Sequence, residues 1–307
     1  MKTSPSKWVF GAALCGLIAF SGVASRFRPL KPGFYFQEQS LPGRRVNHPE
    51  GGRYDVRYPL PALDKLIVNL NGAMPPDTVF LAPEESGLAL FGAQDEHQVG
   101  FKSLESKEGR LHLQIMASGK FLPVPEKGYI LRIGIRGLSD LVIEDGMFFQ
   151  SFRVPIVSEG PIRKADFSLA FPKYCFLHLE VDVPHTLALK ENGGLGGFTN
   201  LANPENIVPA DSRVRGRAKV LHAQNLTTSW DLQQLDASQV ALSADRYAAV
   251  RLGSPRMLTL RHLIDGVLLP PQRGGKLPVG TVSYRGSPTI RERYPRGKPQ
   301  LRLVGNP

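Results

Sequence analysis

The chain has 307 residues, with 38 Lys and Arg against 27 Asp and Glu, a formal charge of +11 and a pI near 9.8. Hydrophobic residues make up 42% and charged residues 21%, a globular balance that excludes a disordered chain and a protein of many membrane spans. Two cysteines, Cys15 and Cys175, exclude a disulfide-built scaffold and a cysteine-ligated zinc or iron–sulfur centre, while 31 Gly and 26 Pro favour short elements joined by turns.

Lys2 and Lys7 precede an uncharged run from Trp8 to Ser25, most apolar between Val9 and Phe20. Gly22-Val23-Ala24-Ser25 supplies small residues at its end, so residues 1–25 read as an apolar helix in the order of a secretory signal. Residues 8–25 also approach the lower limit of a membrane span, ~17 residues. A retained membrane anchor therefore stands beside a cleaved signal, and Arg26, Arg28 and Lys31 follow where positive charge resists translocation. Cys15 follows Leu14 inside the apolar run, which does not fit a lipidated cysteine.

Residues 26–60 interleave Pro and Gly with Arg26, Arg28, Lys31, Arg44, Arg45, Arg53 and Arg57, and read as an extended linker. Regular patterning is expected from Leu63, in a first β unit over 61–150 and a second over 151–307. Leu66-Ile67-Val68-Asn69-Leu70 opens a series of short segments. Leu111-His112-Leu113-Gln114-Ile115 and Leu131-Arg132-Ile133-Gly134-Ile135 alternate strictly, as does the longer run from Leu177 to Val183. Val240 to Leu242, Val250 to Leu252, Leu258 to Leu260, Thr281 to Tyr284 and Leu301 to Leu303 continue the series. Such alternation marks half-buried strands. No convincing amphipathic helix follows residue 25, and Trp230 to Tyr247 reads as strand and turn. The expected fold is all-β.

Leu235 to Leu242 echoes Leu263 to Leu269, 27 residues on, and Leu138 to Ile143 is a looser copy. Each is a Leu, a polar turn and a short strand. Stacking such units is how a β-solenoid, or β-helix-like body, buries a core.

Gly280-Thr281-Val282-Ser283-Tyr284-Arg285-Gly286-Ser287-Pro288-Thr289-Ile290 resembles the closing motif of the head GIN domain family of auto-transporter adhesins, where a strand ends in an aromatic, a Gly and a Pro. Leu63 to Val68 is similar to that family's opening strand, Gly109 to Leu113 to its Gly-led alternating strand, and Tyr129 to Leu141 to its passage into stacked units. The resemblance spans about residues 61–290 and departs between Gly193 and Arg217. It implies a secreted or envelope-bound bacterial β protein, and it supplies no catalytic residues.

Seven histidines (48, 97, 112, 178, 185, 222 and 262) form no close ligand set. His112 and His178 fall on the polar phase of strands and read as surface imidazoles. His178, Glu180 and Asp182 share one strand face, which suits either a cation or plain solvation. Glu84-Glu85 and Asp95-Glu96 are adjacent carboxylates; a glycan-cleaving pair needs them ~5–9 Å apart across a cleft. Asn192 to Gly197 is Gly-rich without the Lys-Ser/Thr of a phosphate loop. Cys175, between Tyr174 and Phe176, reads as a buried thiol. No catalytic, metal or cofactor-binding set is predicted.

Positive charge is concentrated between Arg256 and Pro307, where ten cations face Asp265 and Glu292. Arg285, Arg291, Arg293, Arg296 and Lys298 are the expected contacts with an anionic partner: an envelope component or another envelope protein. The export signal takes the chain away from nucleic acid. The expectation is a non-enzymatic, adhesin-like or scaffold protein in the periplasm, at the cell surface or membrane-anchored. The alternatives are a periplasmic assembly subunit tethered through residues 8–25 and a polysaccharide-acting enzyme on a β-helix.

Overall fold

Period-2 segments become strands throughout the residues that this computed structural model describes, which are 41–47, 53–70, 76–94, 99–116, 128–144, 154–173, 175–192, 212–244, 248–262, 280–293 and 301–306. Twenty strands and no helix occur among them. The expected apolar helix and anchor over 1–25 lie outside the described residues, as do the Gly-rich 193–197, His48, His97, Asp95 and Glu96. Residues Gln39–Pro307 form one compact unit.

The strands are β1 (Arg44–Asn47), β2 (Arg53–Tyr58), β3 (Lys65–Asn69), β4 (Thr78–Ala82), β5 (Ser86–Gln94), β6 (Gly100–Lys107), β7 (Arg110–Met116), β8 (Ile130–Ile135), β9 (Asp140–Glu144) and β10 (Val154–Arg163). They continue as β11 (Phe167–Pro172), β12 (Cys175–Asn192), β13 (Ser212–Leu226), β14 (Ser229–Leu232), β15 (Leu235–Ala244), β16 (Ala249–Leu252), β17 (Met257–His262), β18 (Gly280–Arg285), β19 (Thr289–Arg293) and β20 (Leu301–Asn306).

Two long ladders, parallel throughout, organise the body. One runs β7–β3–β9–β11–β12–β13–β15–β17–β19. The other runs β8–β4–β10–β12–β13–β14–β16–β18–β20. The long strands β12 and β13 serve both. In β12 the register shifts between Val183 and Thr186, where Pro184 has no N–H to give the ladder.

The core is a set of in-register rows. Leu111, Leu66, Leu141, Leu169, Leu189, Ala223, Leu242 and Leu260 succeed one another across the first ladder, all buried. Leu131, Val79, Ile156 and Leu177 do the same in the second, and Trp230, Val250 and Val282 continue it beyond β13. Each buried Leu contributes roughly 1.5–3 kcal/mol by leaving water. Trp230 is fully buried and tilts against Phe171, ring centroids 6.0 Å apart. The stretch from Trp230 reads as strand and turn in the sequence and forms β14 and β15.

Of the echoed units, Leu263–Leu269 lies outside the described residues, and Leu242 stands opposite Leu260, 18 residues on. Longer steps, from Leu187 to Leu221 and from Leu258 to Ile290, enclose 193–211 and 263–279, outside the described residues. One sequence expectation is corrected, and it concerns 26–60. Its Arg53–Tyr58 segment is a strand and not linker, with Tyr54, Val56 and Tyr58 in the core and Arg57 exposed. Tyr58 meets Phe101 edge-on at 5.1 Å. β2 lies antiparallel between β1 and β5, β5 lies antiparallel to β8, and β6 to β7. These antiparallel strands close one end of the ladders.

Gly216 shows how tightly neighbouring strands approach. Its φ is +109°, and a Cβ there would stand 2.0 Å from the Val181 carbonyl oxygen. Gly216→Ala is expected to destabilise by about 3 kcal/mol or more, since it adds a backbone clash to a disfavoured φ. Denaturant unfolding checks this, and an unchanged midpoint would refute the stated packing.

Candidate functional site

The basic end is built from β18 outward. Val282 is fully buried and Tyr284 is half-buried against the core, in register with Gly305. A Cβ at Gly305 would lie 3.3 Å from the Tyr284 hydroxyl, so this glycine makes room for the ring. Thr281 N–H donates to Ala248 O and Arg285 N–H to Gly253 O, both at 2.9 Å. Gly286, at φ +75°, then turns the chain, and Thr289 N–H returns to Arg256 O at 2.9 Å. This matches the strand and turn expected from the 280–290 motif.

Arg285 and Arg291 are exposed on either side of that turn, and Arg302 is exposed on β20, opposite Thr281. Arg293 occupies the register position opposite Arg261. The other two expected contacts, Arg296 and Lys298, lie outside the described residues. Arg285, Arg291 and Arg302 have no ion-pair partner among the described residues.

Several cations elsewhere in the body pair with acids, and Lys65, Arg215 and Arg217 do so with the residue opposite them in register. Arg215 Nη2 reaches Glu180 Oε2 at 2.9 Å, and Arg217 Nη2 reaches Asp182 Oδ1 at 2.8 Å. Arg132 holds Glu85 at 3.0 Å and Glu159 at 2.6 Å. Lys65 pairs with Asp140. Arg213 and Lys219 are exposed without an ion pair among the described residues, but Asp231 stands opposite Arg213 and Asp236 opposite the nearby Arg217. An open depression at this corner is lined by Pro184, Arg217, Ala218, Lys219, Asp236 and Ser238.

Of the carboxylates considered from the sequence, Glu85, Glu180 and Asp182 are paired with guanidinium groups. Glu180 and Asp182 both face arginines of the next strand, and His178 is exposed with its ring edge on Phe176 at 5.3 Å. No group of three or more His, Cys, Asp or Glu is placed to hold a metal among the described residues. Cys175 is buried, as expected from its aromatic neighbours. His112 differs from its surface reading: its side chain is only 20% exposed, and Nε2 lies 3.2 Å from Glu144 Oε2. Asn69 donates to the same oxygen at 3.0 Å.

Sequence reasoning missed Glu191, which is 1% exposed. Thr227 N–H donates to its Oε2 at 2.9 Å, and the Thr227 hydroxyl donates to Oε1. The signal was present, because Leu187, Leu189 and Glu191 share the inward phase of β12. Asp166 is a contrasting, exposed case. Thr186 N–H donates to its Oδ1 at 2.9 Å and holds the carboxyl below the usual aspartate range, with His185 assisting.

No family model matches the chain, and no curated protein matches it. Among solved structures it is similar to a Bacteroides fragilis protein described as a "putative adhesin", at 15% identity and a TM-score of 0.46, over 82% of this chain and 94% of that one. A Parabacteroides merdae protein of the same description shows 8% identity and a TM-score of 0.45, over 85% and 99%. A Parabacteroides distasonis protein described as a "putative lipid binding protein" shows 9% identity and a TM-score of 0.43, over 86% and 100%. The head GIN resemblance rests on its short motifs alone.

Two outcomes follow from the buried and exposed acids. Thr227→Val should cost about 1–3 kcal/mol, because it strips one donor from the buried Glu191 carboxylate. A stability equal to the parent, measured by denaturant unfolding, would contradict that bond. For Asp166, a lowered folded pKa means stabilisation that is complete above the ordinary aspartate range and fades as pH falls through the folded value. Asp166→Asn should therefore lower the thermal midpoint at neutral pH, with the difference from the parent closing towards about pH 2.

Proposed function

We propose that the chain is a non-enzymatic bacterial envelope or surface protein, a β-solenoid that binds an anionic partner through its basic end. The observation that carries the reading is that exposed Arg285, Arg291 and Arg302, on β18 to β20, have no ion-pair partner among the described residues, whereas Arg132, Arg215 and Arg217 of the body are paired with acids. A surplus of positive field at one end draws anions from a distance and contributes modestly to affinity. The solenoid reading is supported by the stacked inward rows of both parallel ladders. Export is supported by the apolar run over 8–25 and by the head GIN resemblance. A binding role, as opposed to glycan cleavage, is supported by the engagement of Glu85, Glu180 and Asp182 with arginines. Val46 and Leu104 are the large hydrophobics exposed among the described residues, and they stand singly, which favours polar over apolar recognition. Retention of residues 8–25 would make the same body a tethered periplasmic subunit, and the mass of the mature N-terminus distinguishes the two.

The test replaces Arg285, Arg291, Arg293, Arg296 and Lys298 with Gln in the full chain. Binding to vesicles containing anionic phospholipid and to envelope fractions should fall at least tenfold at low salt, given about 1 kcal/mol per surface cation. The steep loss of parental binding with added salt should flatten, because such attraction is screened over ~8 Å at physiological ionic strength. Unchanged affinity and unchanged salt slope would reject the electrostatic reading. Turnover of a glycan, abolished by replacing one carboxylate, would reject the non-enzymatic one.

A further inference from the structure

The two ends of the ladders are built differently. At one end β5, β2 and β1 continue the sheet beyond β8 in antiparallel fashion, and β6 does so beyond β7. At the other, β19 pairs with β17 and β20 with β18, and neither has a partner on its outer side among the described residues. An open edge offers a row of backbone donors and acceptors to any further strand.

The β19 edge carries a readable code. Its sequence is Thr289-Ile290-Arg291-Glu292-Arg293. Ile290 is half-buried and continues the row Leu187, Leu221, Val240, Leu258. Arg291 is exposed, and Arg293 lies at the position opposite Arg261. Glu292 occupies the next place in the row that Leu189, Ala223, Leu242 and Leu260 fill. At that register place the sequence has a Glu where the preceding strands have Leu or Ala, so a second copy of the apolar row finds no apolar residue to meet there. The antiparallel end presents exposed Arg44 and Arg45 on β1, so end-to-end stacking of two copies would set arginines against arginines. Repulsion of the wrong partner is as much a part of specificity as attraction of the right one.

We propose that β19 is the docking edge for an extended acidic segment of another protein, which adds to it as a parallel strand. Backbone hydrogen bonds would supply the pairing and alternate side chains the selectivity. The complementary segment has an apolar residue beside Ile290, an acid beside Arg291, a base beside Glu292 and an acid beside Arg293. This rests on the reading that the basic end binds an anionic partner, and it narrows that partner to an acidic polypeptide.

The probe is a fluorescent peptide Thr-Val-Glu-Lys-Glu-Thr, titrated with the full chain and followed by anisotropy. It should bind saturably and at least tenfold more tightly than either of two controls. One control is Thr-Val-Arg-Glu-Arg-Thr, the charge-inverted peptide. The other keeps the charges but carries N-methyl groups on alternate backbone nitrogens. Arg291→Glu with Arg293→Glu should exchange the preference, so that the inverted peptide becomes the tighter ligand. That gain also shows the variant to be folded. Equal binding of the N-methylated peptide would mean that charge alone holds it, and would overturn strand docking. Absence of saturable binding below about 1 mM, a weak limit of some 4 kcal/mol, would do the same. Capture of anionic vesicles in either case would leave the broader reading standing, while loss of both would remove both. Concentration-dependent self-association at low salt, abolished by the same double substitution, would identify a second copy as the occupant and reject the proposal.

Discussion

Parallel register is the constraint on which the rest of this protein depends. Because Leu66 stands beside Leu111 and Leu141, and Leu242 beside Ala223 and Leu260, each strand buries its apolar face only against equivalent faces of its neighbours. Stability in such an array is close to a sum over nearest-neighbour contacts. The corners must therefore keep register while the chain changes direction. Pro184 stands at the shift in β12, and Gly216 admits the Val181 carbonyl where a side chain would not fit. The array must also be ended, since an interior strand left on the outside is a template for aggregation.

The outer face is free of that packing demand and takes on a second task. Glu180 opposite Arg215 and Asp182 opposite Arg217 pair across adjacent strands at the same register as the buried Val181 opposite Gly216. Exposed pairs of this kind contribute only about 0–1 kcal/mol each. Their effect is on alignment: a slip of one residue would break both pairs and turn Leu179 and Val181 outward at once.

The all-β class and much of the strand series were legible because a half-buried strand writes itself as strict alternation, as in Leu177 to Val183. Reading failed where that signal was diluted. In β2, tyrosines and a valine alternate with Arg and Asp inside a Pro- and Gly-rich region, and composition outweighed the period. In β13, Val214 and Ala218 are buried, but exposed Gly216 interrupts the phase between them and Arg213, Arg215, Arg217 and Lys219 alternate with it, so the inward signal is weak. The step between paired strands varies, 18 residues from Leu242 to Leu260 and longer from Leu258 to Ile290, so no fixed period is written in the sequence. Glu191 was missed because an ionisable residue on a strand is read as solvent-facing until its phase is compared with its neighbours. His112 does lie on the polar phase of β7, and its partial burial goes with its contact to Glu144 on β9, which no single strand's pattern reveals.

The outward face of the last strands differs from that of the body. On β13, Arg215 and Arg217 meet Glu180 and Asp182 of the preceding strand β12. On β19 the preceding strand β17 sets Thr259, and no acid, opposite Arg291. At the register place opposite Leu260 the sequence has Glu292, where the preceding strands have leucine or alanine. A strand bearing acids opposite Arg291 and Arg293 would extend both ladders of interaction, backbone and charge, in the register they already have. Recognition at this end would then be folding continued by a second chain, with the same in-register arithmetic that aligns β12 on β13 deciding which sequences are accepted.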